Sequence, residues 1–187
     1  MMNSQSWEDM RKEYEQNDSR REQLIRVSRE AIRLSKEVIN SVHRLELEKA
    51  STLMQSLREK MKSVEEFSDY LQLDSGSYKA AMQEYVEAAC LEEYAAKGTI
   101  PSPKELGVES DHYLLGICDL CGELGRRAVN SAIAKNPAEV LRIKKVVEEL
   151  YAELIMFDFR NGELRKKFDS VKYSLKRLED ISLQVSL

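Results

Sequence analysis

Tyr78–Ala96, YKAAMQEYVEAACLEEYAA, decides how this chain is read. It carries no Gly or Pro, and its polar residues recur at helical intervals, so it forms a helix rather than a strand. Two of those polar residues are acids in apolar surroundings. Glu84 and Glu87 are spaced i,i+3 and share an angular sector with Ala80, Ala88 and Leu91. A second stretch, Tyr113–Val129, YLLGICDLCGELGRRAV, repeats the arrangement. There Asp119 and Glu123 are spaced i,i+4 beside Leu115, Gly116 and Gly122. Burying an unpaired charge is costly, so acids in such places need a reason. Two readings stay open. If the two helix faces meet, four hard oxygen donors converge, and clusters of that kind hold Mg²⁺ or Mn²⁺. Alternatively the acids belong to a structural salt-bridge network, with Glu123 paired to Arg126 or Arg127 one turn later. Glu48, Glu65, Glu66, Glu148 and Glu149 lie among polar neighbours and read as solvated faces.

The helical period continues on both sides of these stretches. Residues 1–18 read as a polar arm or a short helix, with Trp7, Met10 and Tyr14 at helical spacing. Asp18 or Ser19 is expected to cap a long helix whose seam runs through Leu24, Val27, Ala31, Leu34, Val38, Ser41 and Leu45. A second helix is expected over about 46–70, burying Leu53, Met54, Leu57, Met61, Val64 and Phe67. Asp74-Ser75-Gly76-Ser77 reads as a turn and cap, and Gly98 to Pro103 as the clearest break, followed by one helical turn near 102–107. The next helix is expected from Ser110 to about Lys135. Another starts at Asn136-Pro137 and runs to Asn161-Gly162. The last carries a heptad seam of Leu164, Phe168, Val171, Leu175, Leu178, Ser182 and Val185. No strand pattern survives. The expected fold is all-α, a single-domain antiparallel bundle of six to seven helices over residues 19–187. Gly116, Gly122 and Gly125 each cost up to ~1 kcal/mol in a helix interior. Either tight helix packing or a groove left open for substrate accounts for them.

Composition narrows the function. The chain has 187 residues, 33% charged and 42% hydrophobic, with 7 Gly and 3 Pro, which suits one mostly helical domain. Aromatics at 7% argue against a base-stacking platform, and a net charge of −4 against a bulk polyanion binder. Arg20-Arg21, Arg126-Arg127, Lys144-Lys145 and Arg165-Lys166-Lys167 are local basic clusters that read first as solvated helix faces. Cys118-x-x-Cys121 has no second pair and lies in an apolar helix. Together with Cys90 it fits buried thiols in a reducing cytoplasm rather than zinc. The first residues lack a secretory h-region, and no run approaches the ~20 apolar residues of a membrane span. A cytoplasmic protein without a membrane is expected. Glu109-x-x-His112 has the spacing of half a di-iron site, but Asn40 stands where His43 would need a glutamate.

The residues also carry a family resemblance. Gln83-Glu84-Tyr85-Val86-Glu87-Ala88 resembles the signature of the TRAX branch of the translin family. Asp111-His112-Tyr113-Leu114-Leu115-Gly116, Asp119-Leu120-Cys121-Gly122-Glu123-Leu124 and Val129-Asn130-Ser131 resemble its next block. Leu164-Arg165-Lys166-Lys167-Phe168-Asp169 and Val171-Lys172-Tyr173 are closer to translin itself, while Ser28-Arg29-Glu30 and His43-Arg44 are similar to the family's first helix. The resemblance implies a homo-oligomeric, octamer-like shell that binds single-stranded RNA or DNA inside. It implies a Mg²⁺-dependent endoribonuclease site, with Mn²⁺ as a substitute, at Glu84, Glu87 and Asp119. Glu123 matches a further acidic position, as a fourth ligand or as the base that orients the attacking water. Translin's basic and histidine cluster is replaced here by Ser75-Gly76-Ser77-Tyr78-Lys79, so the grip on nucleic acid is expected from Arg126, Arg127 and Lys79. The alternative function is a non-catalytic single-strand-binding oligomer.

Overall fold

Asn3 starts the first helix, accepting the Ser6 backbone N–H at 2.8 Å, and neither Gly nor Pro interrupts the 40 residues of α1 (Ser4–His43). The expected cap at Asp18 or Ser19 is therefore not made. Residues of the supposed arm are the outer turns of a continuous helix, because a polar but uninterrupted sequence has nothing to stop it. In the computed structural model residues 3–67 and 75–185 are described, with seven helices and no strand among them. The buried stripe of α1 is Leu24, Ser28, Ala31, Ser35, Val38, Ile39, Ser41 and Val42. Val27 and Leu34 are only half-buried. Leu45 leaves the seam altogether, exposed at φ 61° in the turn to α2. Ser35 can be buried because its hydroxyl donates to Ala31 O at 3.0 Å.

α2 (Leu47–Glu65) ends five residues earlier than the sequence pattern suggests, and the end of the expected helix, with Asp74, lies outside the described residues. α3 (Ser75–Lys97) packs against α1, α2 and α5 (Ser110–Ile133), and α5 packs in turn against α6 (Pro137–Leu154) and α7 (Glu163–Val185). The α3–α5 pair is thus the middle of the bundle. Ala81, Val86, Ala88, Leu91 and Tyr94 meet Ile117, Leu120, Leu124 and Ala128 in its core. Each fully buried leucine contributes about 2 kcal/mol. The single turn α4 (Pro103–Leu106) has a capping box between Ser102 and Glu105 and closes at Gly107, φ 68°.

α6 stops at Leu154 rather than at Asn161-Gly162. Beyond it the apolar run folds back, and Phe159 meets Phe168 of α7 with ring centroids 5.3 Å apart. Leu154 is buried, whereas Ile155, Met156 and Phe157 stay exposed at 54%, 80% and 50%. Of the expected α7 seam, Phe168, Val171, Leu178 and Ser182 are buried, while Leu164, Leu175 and Val185 are half-buried. Among the described residues no helix is long and apolar enough to cross a membrane.

Candidate functional site

Gly116 sets the site. A Cβ there would lie 2.6 Å from both Val86 Cβ and Cγ1 and 2.9 Å from Gln83 O, so α5 reaches the α3 backbone where a side chain would forbid it. Glu84 and Glu87 flank Val86 on α3, and Asp119 follows Gly116 by one turn on α5. The close crossing therefore brings the two acidic pairs to one half-buried face. Gly122 is exposed, with open space where its Cβ would be. Tight helix packing thus accounts for Gly116 and not for Gly122.

The acids sense one another. Burial, and then the charges of Asp119, Glu84 and Glu123, push the Glu87 carboxyl up to about 8. Burial also raises Glu84, opposed by Lys36 and reinforced by Asp119. Glu123 is held low, chiefly by its hydrogen bond with His43. Three of the four have cationic or imidazole partners from neighbouring helices. Lys36 of α1 lies 3.8 Å from Glu84. Lys167 of α7 donates to both Asp119 oxygens, at 2.7 and 2.8 Å, while the Gln83 amide donates to Oδ2. His43 Nε2 meets Glu123 Oε2, with Arg126 at 3.6 Å. Glu87 forms no hydrogen bond or ion pair among the described residues.

A stability prediction follows from Glu87. In the unfolded chain it ionises near 4.5, and in the metal-free fold near 8. Its contribution is therefore fully favourable below the unfolded value and is lost as pH rises through about 8. Chemical denaturation in EDTA should show stability falling between pH 5 and 8. Glu87→Gln should flatten that slope and be the more stable protein at pH 8, by an amount on the order of a few kcal/mol. An unchanged slope would mean that Glu87 is not the strained carboxyl.

The other expected site residues are more dispersed. Arg126 is 57% exposed at the rim beside Glu123. Arg127 is bound to Glu139 of α6 at 3.1 Å, and Lys79 to Glu163 of α7 at 3.0 Å. His112 sits edge-on to Tyr78, apart from the quartet, and all three cysteines are buried and free. Among the described residues no three His, Cys, Asp or Glu side chains are placed, as they stand, to hold a metal ion. The di-iron spacing at Glu109 and His112 builds nothing further. Sequence reasoning missed His43, Lys36 and Lys167 as members of the site. Lys167 was legible in part, since it lies three residues after Leu164 and one before Phe168, on the flank of the α7 seam.

The profile of the Translin family matches residues 19–187. An uncharacterized protein of Methanocaldococcus jannaschii is 32% identical over 156 residues, 81% of this chain and 70% of that protein. Translin of Gallus gallus is 34% identical over 92 residues, 44% of this chain and 40% of translin. The fold superposes on apo-NeC3PO with a TM-score of 0.91 at 29% identity, covering 99% of this chain and 98% of that one. AfC3PO in its duplex RNA complex gives 0.90 at 26% identity, over 97% and 96%. The chain belongs to the translin family.

Proposed function

We propose that this chain is a divalent-metal-dependent endoribonuclease that cuts single-stranded RNA inside a homo-oligomeric shell. The observation that carries the reading is the quartet Glu84, Glu87, Asp119 and Glu123, where burial and then the charges of the other three push the Glu87 carboxyl up to about 8. Such surplus negative charge on hard oxygen donors suits Mg²⁺ or Mn²⁺. The donor chemistry fits, and entry of the ion requires the hold of Lys167 and Gln83 on Asp119 to open. Glu84, Glu87 and Asp119 would be the ligands. When bound, the ion supplies Lewis-acid stabilisation of phosphoryl oxygens and acidifies water. Glu123, fixed by His43, would orient the attacking water and take its proton. Arg126 at the open rim would meet the strand, and cleavage would leave a 5′-phosphate and a 3′-hydroxyl. Likeness to a relative solved with duplex RNA supports RNA as the substrate class.

The test is incubation with single-stranded RNA in Mg²⁺ and in EDTA. Cleavage in the first only is expected. Binding without cleavage in either would favour a single-strand-binding scaffold, the reading that the ion pairs on Glu84, Asp119 and Glu123 support.

Assembly rests on exposed apolar surface. Ile155, Met156 and Phe157 lie open at the end of α6, and Trp7, Met10 and Tyr14 lie open on the outer turns of α1. Such residues are expected to be covered by other copies. Light scattering at micromolar concentration should give a mass several times 21.6 kDa, near eight-fold if the shell is octamer-like; a monomer would exclude the shell.

A further inference from the structure

Lys167 is bound to the part of the site that a metal would need. Its ammonium group lies within hydrogen-bond distance of both Asp119 oxygens, at 2.7 and 2.8 Å, and Gln83 Nε2 takes Oδ2 from the other side. Its charge also favours the ionised forms of Glu84 and Glu87, so one lysine serves three of the four acids. Its sequence neighbours are occupied differently. Arg165 pairs with Asp169 along α7 at 3.3 Å, and Lys166 is exposed. A divalent ion on Asp119 and an ammonium group on the same two oxygens repel each other at close range. Lysine is suited to leave. It is a compact charge on a flexible four-carbon stem, and this one is 25% exposed rather than sealed in the core. Lys36 is different: 66% exposed and 3.8 Å from Glu84, it has little to release.

Resting on the nuclease reading of this site, we propose that Lys167 is an exchangeable counter-ion. It holds Asp119 while the site is free of metal, yields the carboxylate to the entering divalent ion, and then takes a phosphodiester oxygen of the bound RNA. This accounts for the absence, among the described residues, of three acids placed together for a metal: Asp119 is drawn toward α7. It also gives the strand a cation beside Asp119, whereas Lys79 and Arg127 carry acidic partners elsewhere.

The test uses the assembled protein with Mn²⁺ as probe. Lys167→Met removes the competing charge, so Mn²⁺ affinity by paramagnetic resonance or calorimetry should rise about tenfold or more. Mg²⁺-dependent RNA cleavage should fall about tenfold or more, because the phosphate loses its cation. Lys167→Arg should return metal affinity toward that of the wild type. A lysine that only braces the fold would not give tighter metal binding with slower turnover. A second measurement needs no variant. Amine-specific labelling of Lys167 in the wild type, read by mass spectrometry, should increase severalfold from EDTA to saturating Mn²⁺. Unchanged or weaker Mn²⁺ binding by Lys167→Met, unchanged cleavage by it, or equal labelling with and without bound Mn²⁺ would each overturn the exchange. Wild-type protein that binds no Mn²⁺ would overturn the metal site itself, a separately read failure.

Discussion

Glu84→Gln, Glu87→Gln and Asp119→Asn should each lower Mg²⁺-dependent cleavage of single-stranded RNA by about two orders of magnitude or more, with fold and assembly intact. Each change keeps the side chain's shape and removes one negative charge from the place where a cation would sit. The three differ in what they do to the protein at rest. Glu87 has no partner to lose and a carboxyl pushed up to about 8, so its amide should stabilise the metal-free fold. Asp119→Asn leaves Lys167 facing a neutral group, and Glu84→Gln loosens only the 3.8 Å pair with Lys36. Activity and stability should therefore separate, which a structural network would not allow. Glu48→Gln, on the exposed side of α2, serves as the control. Wild-type cleavage by Glu84→Gln would remove the site assignment. Unfolding of Glu84→Gln would make the acids structural partners and return the protein to the scaffold reading.

The two acidic helices were legible because a carboxylate in an apolar run breaks the helical pattern visibly, and the pattern itself fixes which face each acid shares. The α7 seam was legible for a related reason, since Phe168, Val171 and Leu178 are large and regularly spaced. The face of α1 was legible only in part, with Leu24, Ala31, Val38 and Ser41 of the expected seam buried. Ser28 and Ser35 are buried there, and in sequence Ser35, whose hydroxyl turns back to the Ala31 carbonyl, looks like any solvent-facing serine. Leu45 misled in the opposite direction, as a leucine that keeps the period but ends up exposed beyond the helix. The bases of the site were hidden more deeply. Lys36, His43 and Lys167 come from α1 and α7, and only the packing of those helices around α3 and α5 brings them to acids 48 to 80 positions away in the hydrogen-bond and ion-pair network. Periodicity gives a residue's face, not which distant helix that face will meet.

Gly116→Ala should destabilise the fold by about 2 kcal/mol and slow cleavage about tenfold or more, although alanine is the better helix former. Helix propensity favours the change by up to ~1 kcal/mol. Against it stands a methyl group 2.6 Å from Val86 Cβ and Cγ1 and 2.9 Å from Gln83 O. Those are distances that carbon atoms do not sustain, and inserting a methylene where packing is already full typically costs ~1–3 kcal/mol. Val86→Ala should not rescue it, because the Val86 Cβ and the Gln83 carbonyl remain in the way. Only a shift of α3 away from α5 relieves the contact. That shift moves Glu84 and Glu87 relative to Asp119, and small misplacements of catalytic groups are costly in rate. Gly122 and Gly125 have nothing within 4 Å of the place a Cβ would take. Gly122→Ala and Gly125→Ala should therefore stabilise the protein slightly, which sets the control by the same substitution on the same helix. Denaturant midpoints of the three variants decide it. If Gly116→Ala proves as stable as the other two, the close crossing of α3 and α5 is not what places the acids.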